Sequence, residues 1–324
     1  MAKPLEGRIA LVAGATRGAG RGIAAMLGEA GATVWCTGRS VRGGLASGAR
    51  RPETIEETAE LVTARGGRGI AVRTDHTEEA EVAALCERIR AESGRLGVLV
   101  NDVWGGDALI EWGKPFWETR AENARVLLER AVFSHVLTSR HGLPLLLASD
   151  RGLLVEITDG DSFGYRGNVL YDLVKMGNIR LAFALSRELR KTQVTALAVT
   201  PGFLRSEAML DLFGVTEANW RDATARVPDY VASETPYFVG RAVAALAADP
   251  NVRAKAGRVH SSWALAREYG FADIDGARPD WGAYFTEKYG RSPIADDAAY
   301  ASWLDSPIDL AFPDGLPERA AHAT

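Results

Sequence analysis

Short, continuously apolar runs alternate along the chain with longer segments whose apolar residues recur at helical spacing. The first run, residues 8–13 (RIALVA), suits a strand covered by helices on both faces. After a glycine-rich turn, Ile23, Ala24, Met26 and Leu27 share one stripe and predict a helix over 21–30. A strand follows at 33–37 (TVWCT). A helix over 53–65 opens after Pro52, with Ile55, Ala59 and Val62 on one face. The same reading predicts a strand at 70–73, a helix from about Glu78 bearing Val82, Leu85, Cys86 and Ile89, and a strand at 97–100. Beyond a polar, aromatic loop come a long helix over 120–140, a strand at 153–157, a long helix over 171–190, and a strand at 194–199. A helix over 236–248 and a strand at 258–261 complete the series. Repeated β-α-β order predicts an α/β fold, a doubly wound parallel sheet with right-handed crossovers.

Two segments break this rhythm. Residues 40–51 (SVRGGLASGARR) form a Gly/Ser/Arg-rich insertion expected to be a mobile loop. The tail from Trp263 onward carries three tryptophans and four tyrosines, too apolar for free coil, and is expected to fold back on the domain or onto a partner subunit. Its last residues, 317–324, are expected to be disordered. Composition adds little except exclusions. A net charge of −4 with no basic block argues against nucleic acid as a partner. The two cysteines, Cys36 in a strand pattern and Cys86 in a helical one, read as core fillers. No signal-peptide pattern and no run of about 18 apolar residues occurs, so no membrane contact and a cytoplasmic location are expected. No His/Cys/Asp cluster has metal-ligand spacing.

The turn after the first strand reads GATRGAG, with Gly14, Gly18 and Gly20 between a strand and a helix. Glycine allows the backbone to approach a pyrophosphate, and the helix N-terminus offers unpaired N–H groups, so a Rossmann-type dinucleotide site is expected. At the end of the second strand, Thr37-Gly38-Arg39-Ser40 carries no carboxylate to bind a ribose 2′-hydroxyl. Arg39, with Arg17 inside the turn, would instead meet a 2′-phosphate, which favours NADP(H).

Tyr171 and Lys175 (YDLVK) lie four apart on one face of a long helix that follows a strand, where side chains emerge beside a dinucleotide. A second pair at that spacing, Tyr284 and Lys288, lies in the tail beyond the last strand and reads as packing. The glycine turn, Asp75, Asn101, Thr158–Tyr171–Lys175 and Pro201-Gly202 stand in the order of the short-chain dehydrogenase/reductase family, which the chain resembles over residues 5–262. The tail fragment at 257–276 and FWET at 116–119 resemble one animal member. This resemblance implies a single Rossmann-type NADP-binding and catalytic domain over 1–262, with 263–324 as an extension. It implies Tyr171 as general acid for carbonyl reduction and base for alcohol oxidation, and Lys175 as the group that holds the nicotinamide ribose and lowers the phenol pKa. It also implies Asp75 at the adenine, Asn101 at the adenosine side, Pro201 and Gly202 at the nicotinamide, and Ser206 near the carboxamide or pyrophosphate. A homodimer or homotetramer is implied as well.

Three positions depart from the family pattern. The substrate-orienting serine is Thr158, or in another register the role passes to Asp159 or Ser162. The helix asparagine of the proton path falls at Glu129. Asp102-Val103-Trp104 replaces Asn-Ala-Gly, and Trp104 is expected to narrow the site. The loop 158–165 (TDGDSFGY) reads as a solvated turn; its sharper reading makes Asp159 and Asp161 favour cationic or polyhydroxylated substrates. His135 reads as a packed helix residue. The function expected is an NADP(H)-dependent oxidoreductase acting on a small carbonyl or alcohol. The rivals are a non-catalytic NADP(H)-binding protein on the same fold, and epimerisation or dehydration chemistry.

Overall fold

The computed structural model describes residues 3–44, 52–290, 296–301 and 303. Seven parallel strands form one sheet in the order β3-β2-β1-β4-β5-β6-β7. They are β1 (Ile9–Ala13), β2 (Thr33–Gly38), β3 (Arg68–Arg73), β4 (Val98–Asn101), β5 (Gly152–Ile157), β6 (Val194–Thr200) and β7 (Val259–Ser261). The order reverses between β1 and β4, which puts a crevice at their carboxyl ends, the usual ligand position in open α/β sheets. Register sets its floor: Ala13 pairs with Thr37 on one side and Asn101 on the other.

Both faces of the sheet are covered, which is why the strands read as unbroken apolar runs. Val12, Val34, Val100 and Leu197 meet α1 (Gly18–Glu29) and α8 (Pro236–Ala248) in one core. Leu11, Trp35, Leu99 and Leu154 meet α3 (Glu79–Ser93) and α5 (Ser134–Leu147) in the other. Cys36 and Cys86 are buried, one in each core. Helices α1 and α8 touch through glycine: a Cβ at Gly22 would stand 2.0 Å from the Pro236 carbonyl oxygen. That contact fixes α1, and with it the glycine turn, against the rest of the molecule.

Helix α2 runs Ile55–Ala64 behind a capping box of Thr54 and Glu57, so the start expected at Glu53 falls two residues too early. The helix expected over 120–140 is three pieces: α4 (Ala121–Leu128), a π turn at Glu129–Phe133, and α5, which runs on past Pro144 to Leu147. Helix α6 (Val169–Glu188) starts two residues before Tyr171 because the Asn168 side chain accepts from the N–H groups of Leu170 and Tyr171. The short helix α7 (Glu207–Phe213) has no counterpart in the sequence reading.

The described part of the tail lies on the sheet domain. Helices α9 (Ser262–Tyr269), α10 (Trp281–Tyr289) and α11 (Asp297–Ala301) bring Trp263 and Trp281 against Phe238, and stack Trp303 on Phe163 at 4.4 Å between centroids. Tyr284 and Lys288 pair with Asp229, as packing residues do. Residues 45–51 of the expected mobile loop and the expected disordered end, 317–324, lie outside the described residues. Among the described residues no helix is long and apolar enough to cross a membrane.

Candidate active site

The glycine turn leaves β1 directly into α1. Gly14 has φ +89°, and a Cβ there would stand 2.4 Å from the Asp102 carbonyl oxygen, so only glycine fits where β4 passes. Arg17, extended, is the residue just before α1; its carbonyl oxygen accepts from the Arg21 amide, and its guanidinium makes no hydrogen bond or ion pair among the described residues. The amide of Gly18 donates to the Glu207 carboxylate at 2.7 Å. An anion therefore already rests where a helix N-terminus should receive a phosphate, and the cradle fits the negatively charged group that the sequence predicts. Ser206 caps α7 beside the same turn.

At the end of β2, Thr37 turns inward to the Val12 carbonyl oxygen and to His76. Burial pushes His76 down to about 4, so a neutral imidazole bridges Thr37 and Thr138. This leaves Arg39 as the side chain facing out of the strand, 3.5 Å from Asp75. Asp75 also accepts from the backbone and hydroxyl of Thr77, and these bonds with the Arg39 charge hold it below the usual carboxylate range despite its burial.

The Asn101 side chain does not reach the crevice. It is fully buried and donates to Ser139 and Glu156, and Glu156 in turn meets His135 at 2.6 Å. The other ring nitrogen of His135 lies 3.0 Å from the Val103 carbonyl oxygen. His135 is thus a packed residue that ties α5 to β5 and to the strand-end loop. The Asn101 amide nitrogen is therefore engaged inside the protein, while its Oδ1 has no partner among the described residues.

On α6, the Tyr171 hydroxyl donates to Asp159 Oδ2 at 2.8 Å. Burial and this carboxylate raise the phenol well above its ordinary value, opposite in sign to the lowering expected from Lys175. The Lys175 ammonium sits 4.4 Å from the centroid of the Trp104 ring. Burial lowers its pKa, opposed by Asp159, Asp102 and Asp107. The Asp102 carboxylate lies against the Gly20 backbone while sensing the Lys175 charge; burial pushes it up to about 7.

Thr158 has a different use from the one expected. It is 3% exposed and its hydroxyl donates to the Lys175 carbonyl oxygen at 2.7 Å, pinning α6 to β5. Asp159, one residue later, is what meets the phenol. The Ser162 hydroxyl accepts from the Gly164 amide and its carbonyl oxygen from Arg166, so Ser162 shapes its own loop. Asp161 is buried beside Ser261 of β7, which overturns the solvated-turn reading and leaves Asp159 as the one of the two loop carboxylates on the phenol. Glu129 is exposed at the π turn and faces away from any proton path through the interior. Trp104 does narrow the site: its ring meets Tyr171 edge-on at 5.6 Å.

Pro201 and Gly202 end β6 across the crevice. The Gly202 amide donates to Glu234, which also accepts from Ser262 and is buried with Oε1 unpartnered. Burial pushes Glu234 up to about 8 from an ordinary 4.5. The folded chain then holds a proton that the unfolded chain has released, so stability is lost as pH rises across that window. Glu234→Gln keeps both accepted bonds. It is expected to stabilise the fold at pH 8, by a few kcal/mol at most, and to change it little at pH 5. Parallel melting curves check this, and an equal effect at both pH values would exclude the titration.

A sequence profile described as short chain dehydrogenase matches residues 8–213. Dehydrogenase/reductase SDR family member 1 of Mus musculus is 35% identical over 311 residues, 94% of each chain, and its Homo sapiens counterpart is 34% identical over 280 residues, 85% of this chain and 86% of the other. The 3-oxoacyl-(acyl-carrier-protein) reductase FabG of Escherichia coli is 29% identical over 207 residues, covering 62% of this chain and 75% of its own. Among solved structures, a short chain dehydrogenase from Mycobacterium thermoresistibile superposes with a TM-score of 0.70 at 20% identity, over 95% of this chain and 99% of that one. With the profile spanning most of the sheet and the animal relatives reaching through the tail, the chain belongs to the short-chain dehydrogenase/reductase family, as an oxidoreductase that uses a nicotinamide cofactor.

Proposed function

We propose that the protein is an NADP(H)-dependent reductase of a small carbonyl compound, reversible as an alcohol dehydrogenase. One observation supports the reading: the segment after β4 joins the two halves, with the Asp102 carboxylate against the Gly20 backbone and the Trp104 ring 5.6 Å from that of Tyr171 and 4.4 Å from the Lys175 ammonium. Gly14, Gly18 and Gly20 would hold the pyrophosphate, Arg17 and Arg39 the 2′-phosphate, and Asp75 the adenine end. The backbone of Asn101, Pro201 and Gly202, with Ser206, would border the rest, and Lys175 the nicotinamide ribose. The cofactor supplies hydride to the carbonyl carbon. Tyr171 donates the proton to the carbonyl oxygen, and Lys175 stabilises the phenolate left behind. Asp159 is the side chain placed to orient the substrate, with Thr158 holding α6 in register. The expected small-molecule substrate, homo-oligomeric state and cytoplasmic location remain part of this proposal. The exposed Leu128, Phe133 and Val136 along α4–α5, and Leu173 on α6, support pairing of subunits through those helices.

A second reading, an NADP(H)-binding protein without turnover, draws on Glu207 in the cradle and Asp159 on the phenol. Consumption of NADPH with a panel of ketones and aldehydes separates the two. Net stoichiometric consumption supports the reductase; binding without consumption under any condition rejects it. Glu207 also makes a prediction of its own. Cofactor phosphates must displace its carboxylate, so Glu207→Gln is expected to tighten NADP(H) binding about fivefold, the difference between a charged and a neutral acceptor. Fluorescence titration with NADPH reads this directly; unchanged or weaker binding would place the Glu207 carboxylate outside the phosphate path.

A further inference from the structure

The phenol that should protonate the substrate is held by a carboxylate. Tyr171 donates its one hydroxyl proton to Asp159 Oδ2 at 2.8 Å. A neutral carbonyl oxygen is a weaker acceptor than a carboxylate, so it competes poorly for that proton. The phenol becomes available when something else donates to Asp159.

Three further observations say what that donor is. The carboxyls acting on Lys175 are those of Asp159 and Asp107, with Asp102, pushed up to about 7 by burial, only partly charged, against one opposing cation, Arg166. Arg166 is itself paired with Asp172 at 3.2 Å and bonded to the carbonyl oxygen of Asp159, not to its carboxylate. The crevice beside Tyr171 therefore has an excess of negative charge. Its open wall is aromatic: Trp112, 58% exposed, lies 5.3 Å from the Tyr171 ring, while the face of Trp104 is already taken by Lys175. A carboxylate on the Tyr171 hydroxyl and an exposed indole on the same Tyr171 ring together offer the chemistry that recognises an organic cation. A neutral hydroxyl would satisfy the hydrogen bond and gain little from the rest.

We propose that the substrate is an aminocarbonyl compound, or in the reverse direction an amino alcohol, whose protonated nitrogen binds Asp159 and Trp112 and thereby releases the Tyr171 hydroxyl for the carbonyl oxygen. The inference rests on the carbonyl-reductase reading above and names the substrate class of the same site. Asp159 becomes the residue that sets specificity. A serine or threonine at that place would orient a neutral ketone; the carboxylate selects a charged one.

Three ketones of matched shape test it with the full chain and NADPH: β-aminopropiophenone, β-hydroxypropiophenone and butyrophenone. The amino ketone is expected to exceed both others in kcat/KM by about tenfold or more, the usual worth of a hydrogen bond to a charged group. In Asp159→Asn that preference should collapse, and in Asp159→Ser the neutral ketones should be reduced as well as the charged one. Equal kcat/KM for the three in the native protein would overturn the proposal, as would a preference that survives Asp159→Asn. A binding measurement keeps the test independent of turnover. The amino alcohol corresponding to β-aminopropiophenone, titrated by calorimetry in the presence of NADP⁺, should bind more tightly than the alcohol of butyrophenone, and lose that advantage in Asp159→Asn. Tight amine binding with no reduction of any ketone would sink the reductase reading and uphold the cationic site. Ketone reduction without amine preference would do the reverse.

Discussion

Tyr171→Phe is expected to lower kcat for carbonyl reduction by at least a hundredfold or so, the usual contribution of a positioned proton donor, while NADPH binds nearly as before. The phenol is a neutral acid on the same helix face as Lys175, with its pKa held high and a proton to give. Lys175 lies one helical turn away, its ammonium 5.5 Å from the phenol ring centroid. Phenylalanine keeps the ring, and with it the contacts to Trp104 and Trp112, so packing around α6 is largely retained. What it removes is the hydroxyl and the bond to Asp159, at a stability cost of about 1 kcal/mol for one partly exposed hydrogen bond. Single-turnover kinetics with saturating NADPH, beside a cofactor titration, separates the two quantities. Unchanged turnover would remove Tyr171 from the chemistry, and a parallel loss of cofactor affinity would show that the variant had disturbed the crevice instead.

Arg39→Ala is expected to weaken NADPH by roughly 10- to 100-fold and NADH by little, since a hydrogen bond to a charged group is worth about 1.5–3 kcal/mol. The strand end supplies the reason. Thr37 is turned inward to His76, Gly38 has no side chain, and Ser40 is buried, so Arg39 is the residue of the segment that can meet a 2′-phosphate. Its pairing with Asp75 at 3.5 Å is long, part-exposed and easily exchanged for a doubly charged phosphate. Paired titrations with NADPH and NADH read the prediction. Equal losses for both would mean that Arg39 supports the adenine end of the site and does not choose between the cofactors.

Much of this architecture is written locally. The inner strands β1, β2, β4, β5 and β6 are buried along almost their whole length because both faces of the sheet are covered there, while the edge strand β3 stays part-exposed and β7 is a short Val-His-Ser; each major helix shows its stripe because one side is covered. The glycine turn was readable for the same reason: Gly14 and Gly22 stand where a side chain would strike the Asp102 and Pro236 carbonyls, a steric demand met in sequence by glycine alone. Tyr171 and Lys175 share a face by helical spacing, which needs no tertiary information.

Other features depended on where distant segments meet. Glu207 reaches Gly18 across 189 residues, and no pattern near position 207 announces an anion destined for the phosphate cradle. Thr158 and Asp159 follow the end of β5 side by side and both meet α6, one at the Lys175 carbonyl and the other at the Tyr171 hydroxyl, and only the packed helix decides which side chain takes which partner. Asp161 looked like part of a solvated turn because its loop is polar, yet the approach of β7 buries it. Asn101 was drawn under the sheet by Ser139 and Glu156, partners contributed by α5 and β5. Periodicity determined the scaffold of this protein because burial of one face acts on every residue in an element. The charges and protons of its site were decided by tertiary structure, because each depends on a single contact made far away along the chain.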